Sequence, residues 1–389
     1  MHQPPSVADG GREMLAWLRE MRDNEPVSVD QYGMYHVFRY DDVQKVTTDP
    51  AVFSNDFTRI MPQIAEGAKG NLLAVDPPVH RKLRQLVSSA FTPKMVASLE
   101  PRIAEVTNEL LDDIDGTGVD LVESLAYPLP VIVIAEMLGV PASDRGLFRK
   151  WADDLLTSQN MDFNDPKFVE EAKEKVRDLD AYLLEHIVAR RKQGRDDLLS
   201  KLVEAEIDGE GLDDGEITNF SRLLLVAGHI TTTMLLGNAM LCFHDNPEAA
   251  ADVRANPTLL PSAVEEILRV RSPFLFSARI TAVDTELAGT PIPANKMVAP
   301  WLLSANHDER QFPDPERFDP HRDPNRQSGF GHGIHFCLGA PLARLEARVA
   351  LAALLNRFSD IEIADPAAVV YRESPGMYGV KVLPLEVRR

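Results

Sequence analysis

The chain has 389 residues, 44% of them hydrophobic and 26% charged, so it can bury a large core and reads as a soluble globular protein. A formal net charge of −19 argues against bulk binding to nucleic acid or to an anionic membrane surface. Two cysteines, Cys242 and Cys337, provide neither a disulfide framework nor a zinc ribbon, and they fit a reducing, cytoplasmic setting.

The first 30 residues, opening "MHQPPSVADGGREMLAWLREMRDNEP", hold no apolar run long enough for a secretory signal or a membrane span. They are expected to be partly flexible. "YHVFRY" at 35–40 alternates as a half-buried strand does. Helical patterns then dominate. "HRKLRQLVSSAF" opens after "DPP", where proline suits a helix start. "SLEPRIAEVTNELLDDI" and "KFVEEAKEKVRDLDAYLLEHIVARRKQ" are long and amphipathic, and "DDLLSKLVEAE" follows them. "LPVIVIAEMLGVP" is the longest apolar stretch, interrupted by Glu136. "DDGEITNFSRLLLVAGHITTTMLLGNAMLCFHD" exceeds the usual helix length, and "SAVEEILRVR" is a short amphipathic helix. "SARITAVDTELAGTPIPANKMVAPWLLSAN" sets turn residues between β-rich runs. The proline-rich "FPDPERFDPHRDPN" reads as an ordered meander. A helix over "PLARLEARVALAALLNRF" and strands near "YGVKVLPLEV" complete the chain. The expected fold is mostly α with a minor β region, in one domain spanning 1–389.

The strongest chemical signal is "FGHGIHFCLG", residues 330–339. Its three glycines, Gly331, Gly333 and Gly339, allow a tight loop with positive φ and close backbone approach. Cys337 stands just before a helix, where the dipole and free N–H groups stabilise a thiolate. A thiolate between Phe330 and Phe336 describes a soft axial ligand for iron. Cys242, in "MLCFHD", has no such context and is assigned to core packing.

The complete Phe-Gly-x-Gly-x-x-x-Cys-x-Gly pattern, followed by its helix, resembles the haem-binding loop of the cytochrome P450 superfamily of haem-thiolate monooxygenases. The resemblance extends over nearly the whole chain from about Tyr35. It implies the P450 fold, with haem b (iron protoporphyrin IX) between the central long helix and the Cys-loop helix, and Cys337 as the iron ligand. Buried haem carboxylates need charged partners. His80 and Arg84, four apart on one helical face, with Arg279 and His335, occupy the places where the family holds them. Phe330, Gly331 and Gly339 belong to the cofactor loop. Glu266 and Arg269, three apart, are expected to form a structural triad with Arg317 of "PERF".

The resemblance also explains the polar knot in the central helix. "AGHIT", residues 227–231, aligns with the family's Ala/Gly-Gly-x-Asp/Glu-Thr oxygen pocket. Ala227, Gly228 and Thr231 are the expected catalytic positions: Gly228 leaves room for dioxygen or a local helix distortion, and the Thr231 hydroxyl serves proton delivery. Thr232 and Thr233 are expected to bond the carbonyls four residues back. Ile230 departs from the family, which has an acid there to relay protons. Ordered water, a substrate hydroxyl, or an oxidative coupling that joins substrate radicals are the alternatives.

Five regions should wall the substrate pocket: 56–74, 155–168, the central helix, 273–278 and the turn "SPGMYG". Phe274, Leu275, Phe276, Met377 and Ile230 are the expected apolar walls, suiting a lipophilic natural product such as a macrolide, terpenoid or aromatic cyclic peptide. Electrons are expected from a separate ferredoxin and ferredoxin reductase, docking near Arg81, Lys82 and Arg348. A monomer without nucleic-acid or membrane partners is expected. A haem protein that binds a ligand or passes electrons without oxygen chemistry is the competing reading.

Overall fold

The Asp-Asp-Gly-Glu sequence begins the longest element for a local reason. Asp213 accepts the N–H of Glu216, and the Glu216 carboxylate accepts the N–H of Asp213, closing a capping box. From there the central helix Asp214–Asp245 runs unbroken through Gly228 and the threonines. Its length and composition would allow it to cross a membrane, yet 72% of its apolar window is buried inside the protein. The computed structural model describes residues 4–65, 69–157, 166–372, 374 and 376–389.

Helices packed on the central one include Pro128–Met137, Pro166–Lys192, Leu260–Val270 and the Cys-loop helix Ala340–Arg357. Leu235, Leu236, Ala239 and Phe243 bury against their apolar faces in the main core. Helix Pro128–Met137 is the "LPVIVIAEM" run. It is apolar all round, so no amphipathic period betrays it, and it is nearly fully buried. Its lone acid, Glu136, is met by Arg102 at 2.8 Å and by Arg145.

The minor β region is chiefly one five-stranded sheet. Its strands are β1 Val27–Val29, β2 Tyr35–Val37, β3 Phe53–Ser54, β4 Arg279–Thr281 and β5 Met297–Pro300. The order is β1-β2-β5-β4-β3, antiparallel except where β5 runs parallel to β2 with Val298 beside Tyr35. The expected strand at 35–40 therefore ends at Val37, and helix Tyr40–Thr48 follows. A three-stranded sheet sets Pro384–Arg388 between Asp360–Ile363 and Gly118–Asp120.

The N-terminal segment is more ordered than its composition implied. Helix Arg12–Asn24 buries Met14, Trp17, Leu18 and Met21. Trp17 meets Trp301 edge-on at 5.2 Å between ring centroids. Leu275 is 4% exposed in this same cluster, so it belongs to the core and is not a pocket wall. Phe276 also leans on it, 5.0 Å from Trp301. The meander 312–325 contains no helix or strand, as its prolines dictate.

Candidate active site

Two glycines make the cysteine loop fold as it does. Gly331 and Gly333 have φ of +67° and +71°, and a Cβ on Gly333 would meet the Thr47 carbonyl at 2.8 Å. Gly339 differs: its φ is −79°, and it caps the helix that follows. The N–H of Cys337 donates to the Phe330 carbonyl at 3.0 Å, closing the loop. Phe330 and Phe336 meet edge-on at 6.1 Å. Cys337 and Phe336 are exposed although they lie at the heart of the fold, so both open on an internal space.

Loss of hydration pushes the Cys337 thiol up. The N–H groups of Gly339 and Ala340, then Arg84 and Arg344, oppose it and favour thiolate. Cys242 is pushed up to about 12 by burial, which Arg271 and Arg269 oppose only in part, as suits a packing residue. Among the described residues no three His, Cys, Asp or Glu cluster as a metal site. A single thiolate suits an iron whose equatorial positions are filled by a macrocycle.

The basic residues converge at one edge. The His80 and His335 rings lie 4.3 Å apart, and each has a buried Nε2 without a hydrogen-bond partner among the described residues. Burial, with smaller contributions from His335 and Arg84, lowers His80 to about 4. His335 Nε2 stands 3.8 Å from Asp76. Partial burial works against ionised Asp76, but His335, Ser54 and the Asn55 N–H outweigh it and hold the carboxyl at about 2. Arg279 is buried, which lowers it to about 10 against the pull of Asp76, and it donates only to the Ala278 carbonyl at 2.8 Å. Arg84 donates to the Phe336 carbonyl at 2.7 Å. Neither arginine has an ion-pair partner among the described residues. Orphaned donors and unneutralised cations in one place fit the two carboxylates of a haem.

On the opposite wall, Ala227 is exposed and Thr231 half-buried in an otherwise buried stretch of the central helix. Gly228 points elsewhere. A Cβ there would come 2.5 Å from Ile134 Cδ1, so this glycine serves the crossing with helix Pro128–Met137 and leaves the helix undistorted. All three threonines bond back by four residues: Thr231 to Ala227 at 2.8 Å, Thr232 to Gly228 at 3.1 Å and Thr233 to His229 at 2.9 Å. Of these three bonds only that of the Thr231 hydroxyl is exposed. Ile230 is buried with Met234 and Met377 in a small apolar cluster. Phe274 pairs with Met377 through a backbone bridge and is 37% exposed. The expected wall at 155–168 lies largely outside the described residues.

The chain carrying this arrangement matches a family model, Cytochrome P450, over residues 26–366. It belongs to the cytochrome P450 family. Its cofactor is haem b. Erythromycin C-12 hydroxylase of Saccharopolyspora erythraea is 48% identical over 364 residues, covering 92% of this chain and 90% of that relative. Cyclomarin C epoxidase CymV of Salinispora arenicola is 42% identical over 390 residues, covering 99% and 98%. The solved ligand-free structure of cytochrome P450 TbtJ1 superposes with a TM-score of 0.93 at 49% identity, over 99% of this chain and 100% of the other.

The glutamate–arginine triad of this P450 differs from the expected one. Glu266 and Arg269 are fully buried and pair twice, at 2.8 and 2.7 Å. The meander side chain that reaches Glu266 is Arg322, at 3.1 Å. The Arg317 side chain is exposed, and only its carbonyl takes part, accepting from Arg269 at 3.0 Å and from Arg322 at 3.2 Å. The Asp319 N–H and the Asn325 amide complete the shell of Glu266, each at 3.0 Å. Both arginines occur in "PERFDPHR", so the motif limits the choice to two and only the chain path decides. On the surface, Lys82 pairs with Glu210 and Arg348 with Glu100, while Arg81 is exposed.

Proposed function

We propose that this P450 hydroxylates or epoxidises a lipophilic natural product, using dioxygen and electrons from a separate ferredoxin and its reductase in the cytoplasm. The observations that carry this reading are Cys337 exposed in its glycine loop and Ala227 exposed, with Thr231 half-buried, on the central helix, against which the Cys-loop helix packs. Haem b held by a cysteine thiolate supplies activation of dioxygen. Cys337 is the ligand, and two N–H donors and two arginines favour its anionic form against the effect of burial. His80, His335, Arg84 and Arg279 hold the haem carboxylates. Ala227 keeps the exposed face of the central helix low, which would leave room for the haem and dioxygen. Thr231 carries a proton at Oγ1, exchanging its bond to the Ala227 carbonyl for one to water or substrate. Phe274 presents apolar surface to the substrate and excludes bulk water, while the buried Ile230 and Met377 pack together beside it. The named substrates of the erythromycin hydroxylase and the cyclomarin epoxidase are large natural products, which supports this class.

The test is turnover with a surrogate ferredoxin and reductase against a panel of macrolides, terpenoids and cyclic peptides, with product mass as the readout. A product heavier by one oxygen is expected. A joined or ring-closed product without added oxygen would assign oxidative coupling instead. A bound ligand that returns unchanged under active electron supply would assign a haem protein without oxygen chemistry.

A further inference from the structure

Two glutamates stand side by side on helix Leu260–Val270. Glu266 holds the meander, and its neighbour Glu265 faces the cysteine loop. Glu265 takes the Arg344 guanidinium in a two-pronged pair at 2.5 and 2.9 Å. It also accepts from the Gln327 amide at 3.1 Å, while Gln327 Oε1 accepts the Gly329 N–H at 2.5 Å. Arg344 projects from the first turns of the Cys-loop helix, and its guanidinium lies 4.5 Å over the Phe330 ring. Phe330 is the residue whose carbonyl accepts the Cys337 N–H. A continuous chain therefore runs Glu265, Arg344, Phe330, Cys337, and Gln327 ties the front of the loop to the same carboxylate.

We propose that Glu265 and Arg344 are positioning residues that set the electrostatic potential at the Cys337 sulfur, and through it the reduction potential of the iron. The proposal rests on Cys337 as the iron ligand. Its physical content is the sign of two charges. A guanidinium beside the thiolate favours the state carrying one more electron, so Arg344 raises the potential. Glu265 partly cancels that charge and lowers it. Arg344 is the nearer of the two to the sulfur, because it stacks on the loop and Glu265 approaches from another helix. The pair is neither buried nor free, with side chains 37% and 24% exposed, so solvent screens the effect without removing it.

The experiment is a redox titration of the haem-loaded protein with mediator dyes and no ferredoxin, reading the one-electron ferric–ferrous couple. Only preparations that keep the thiolate band of the reduced, CO-bound form are scored. Arg344→Gln should disfavour reduction by about tenfold, ~59 mV for one electron. Glu265→Gln should favour it by about threefold. The double variant should lie between them, near wild type, and Arg344→Lys should stay closer to wild type than Arg344→Gln. Single variants that shift the potential in the same direction, or not at all, would overturn the proposal and leave a purely structural tie. Absence of the thiolate band from the wild type would instead overturn the ligand assignment itself.

Discussion

The two walls of the haem site are built from opposite materials. The cysteine side is polar and over-determined: Glu266 alone receives five hydrogen bonds, from Arg269 twice, Arg322, Asn325 and the Asp319 N–H. The other side is one long helix on which Ala227 is exposed, Thr231 half-buried and Ile230 buried, with the Thr231 hydroxyl turned back on its own backbone. A wall that holds charge must be fixed before the cofactor arrives, because misplaced buried charge is costly. A wall that admits varied substrates needs shape and dryness, which apolar side chains supply. The difference predicts that changes on the cysteine side cost folding and cofactor, and changes on the distal side alter chemistry in an intact protein.

The largest effect should come from Glu266→Ala. It leaves Arg269 charged and fully buried without its partner, at a cost of about 3–5 kcal/mol. Chemical denaturation and haem content should both fall sharply. A stable, haem-replete variant would remove the contrast between the walls.

Glu346 joins the two sides. It lies buried on the Cys-loop helix, and its neighbour is the Thr232 hydroxyl of the central helix. Burial raises its carboxyl to about 8, and the Thr232 bond only partly opposes that. The native protein thus retains a proton that the unfolded chain releases around its ordinary value of 4.5. Stability should decline as pH rises from there to about 8 and then level off. Glu346→Gln should flatten that decline and be the more stable protein at pH 9, by on the order of 2–4 kcal/mol. Parallel pH–stability curves for the two proteins would show an ionised, compensated carboxylate instead.

The variant that bears on chemistry is Ile230→Glu. A carboxylate one residue before Thr231 should raise the ratio of product formed to reduced nicotinamide consumed and lower peroxide release; a placed proton donor contributes on the order of 100-fold to a proton-transfer step. An unchanged ratio in a folded variant would mean that protons already arrive through Thr231-bound water or the substrate. Burial of Ile230 against Met234 and Met377 sets the opposing cost of desolvation.

Much of the cysteine wall was legible in the sequence because it rests on local spacing. The glycine–cysteine loop is one continuous stretch, residues 330–339, and the Glu266–Arg269 and His80–Arg84 pairs are each about one helical turn apart. What was not legible depended on how distant segments meet. Arg317 and Arg322 are equivalent on paper, and the path of the meander selects Arg322. Gly228 was assigned to the oxygen site from its motif, whereas the neighbour that requires it, Ile134, sits in an all-apolar helix without periodic signal. Leu275 and Phe276 follow Phe274 directly, and the tryptophan cluster of the N-terminal helix claims them for the core. Glu265, Arg344 and Glu346 gave no sign, since an exposed-looking acid or base in an amphipathic helix is ordinary until its partner is known.

The account turns on one sulfur. Cys337→Ser should be purified alongside wild type, loaded with haem, reduced and exposed to CO. Wild type should show the red-shifted band of a thiolate-ligated haem, and Cys337→Ser should lose that band. A variant that kept the band would contradict the assignment of Cys337 and, with it, the division of the site into a charged wall and an apolar one.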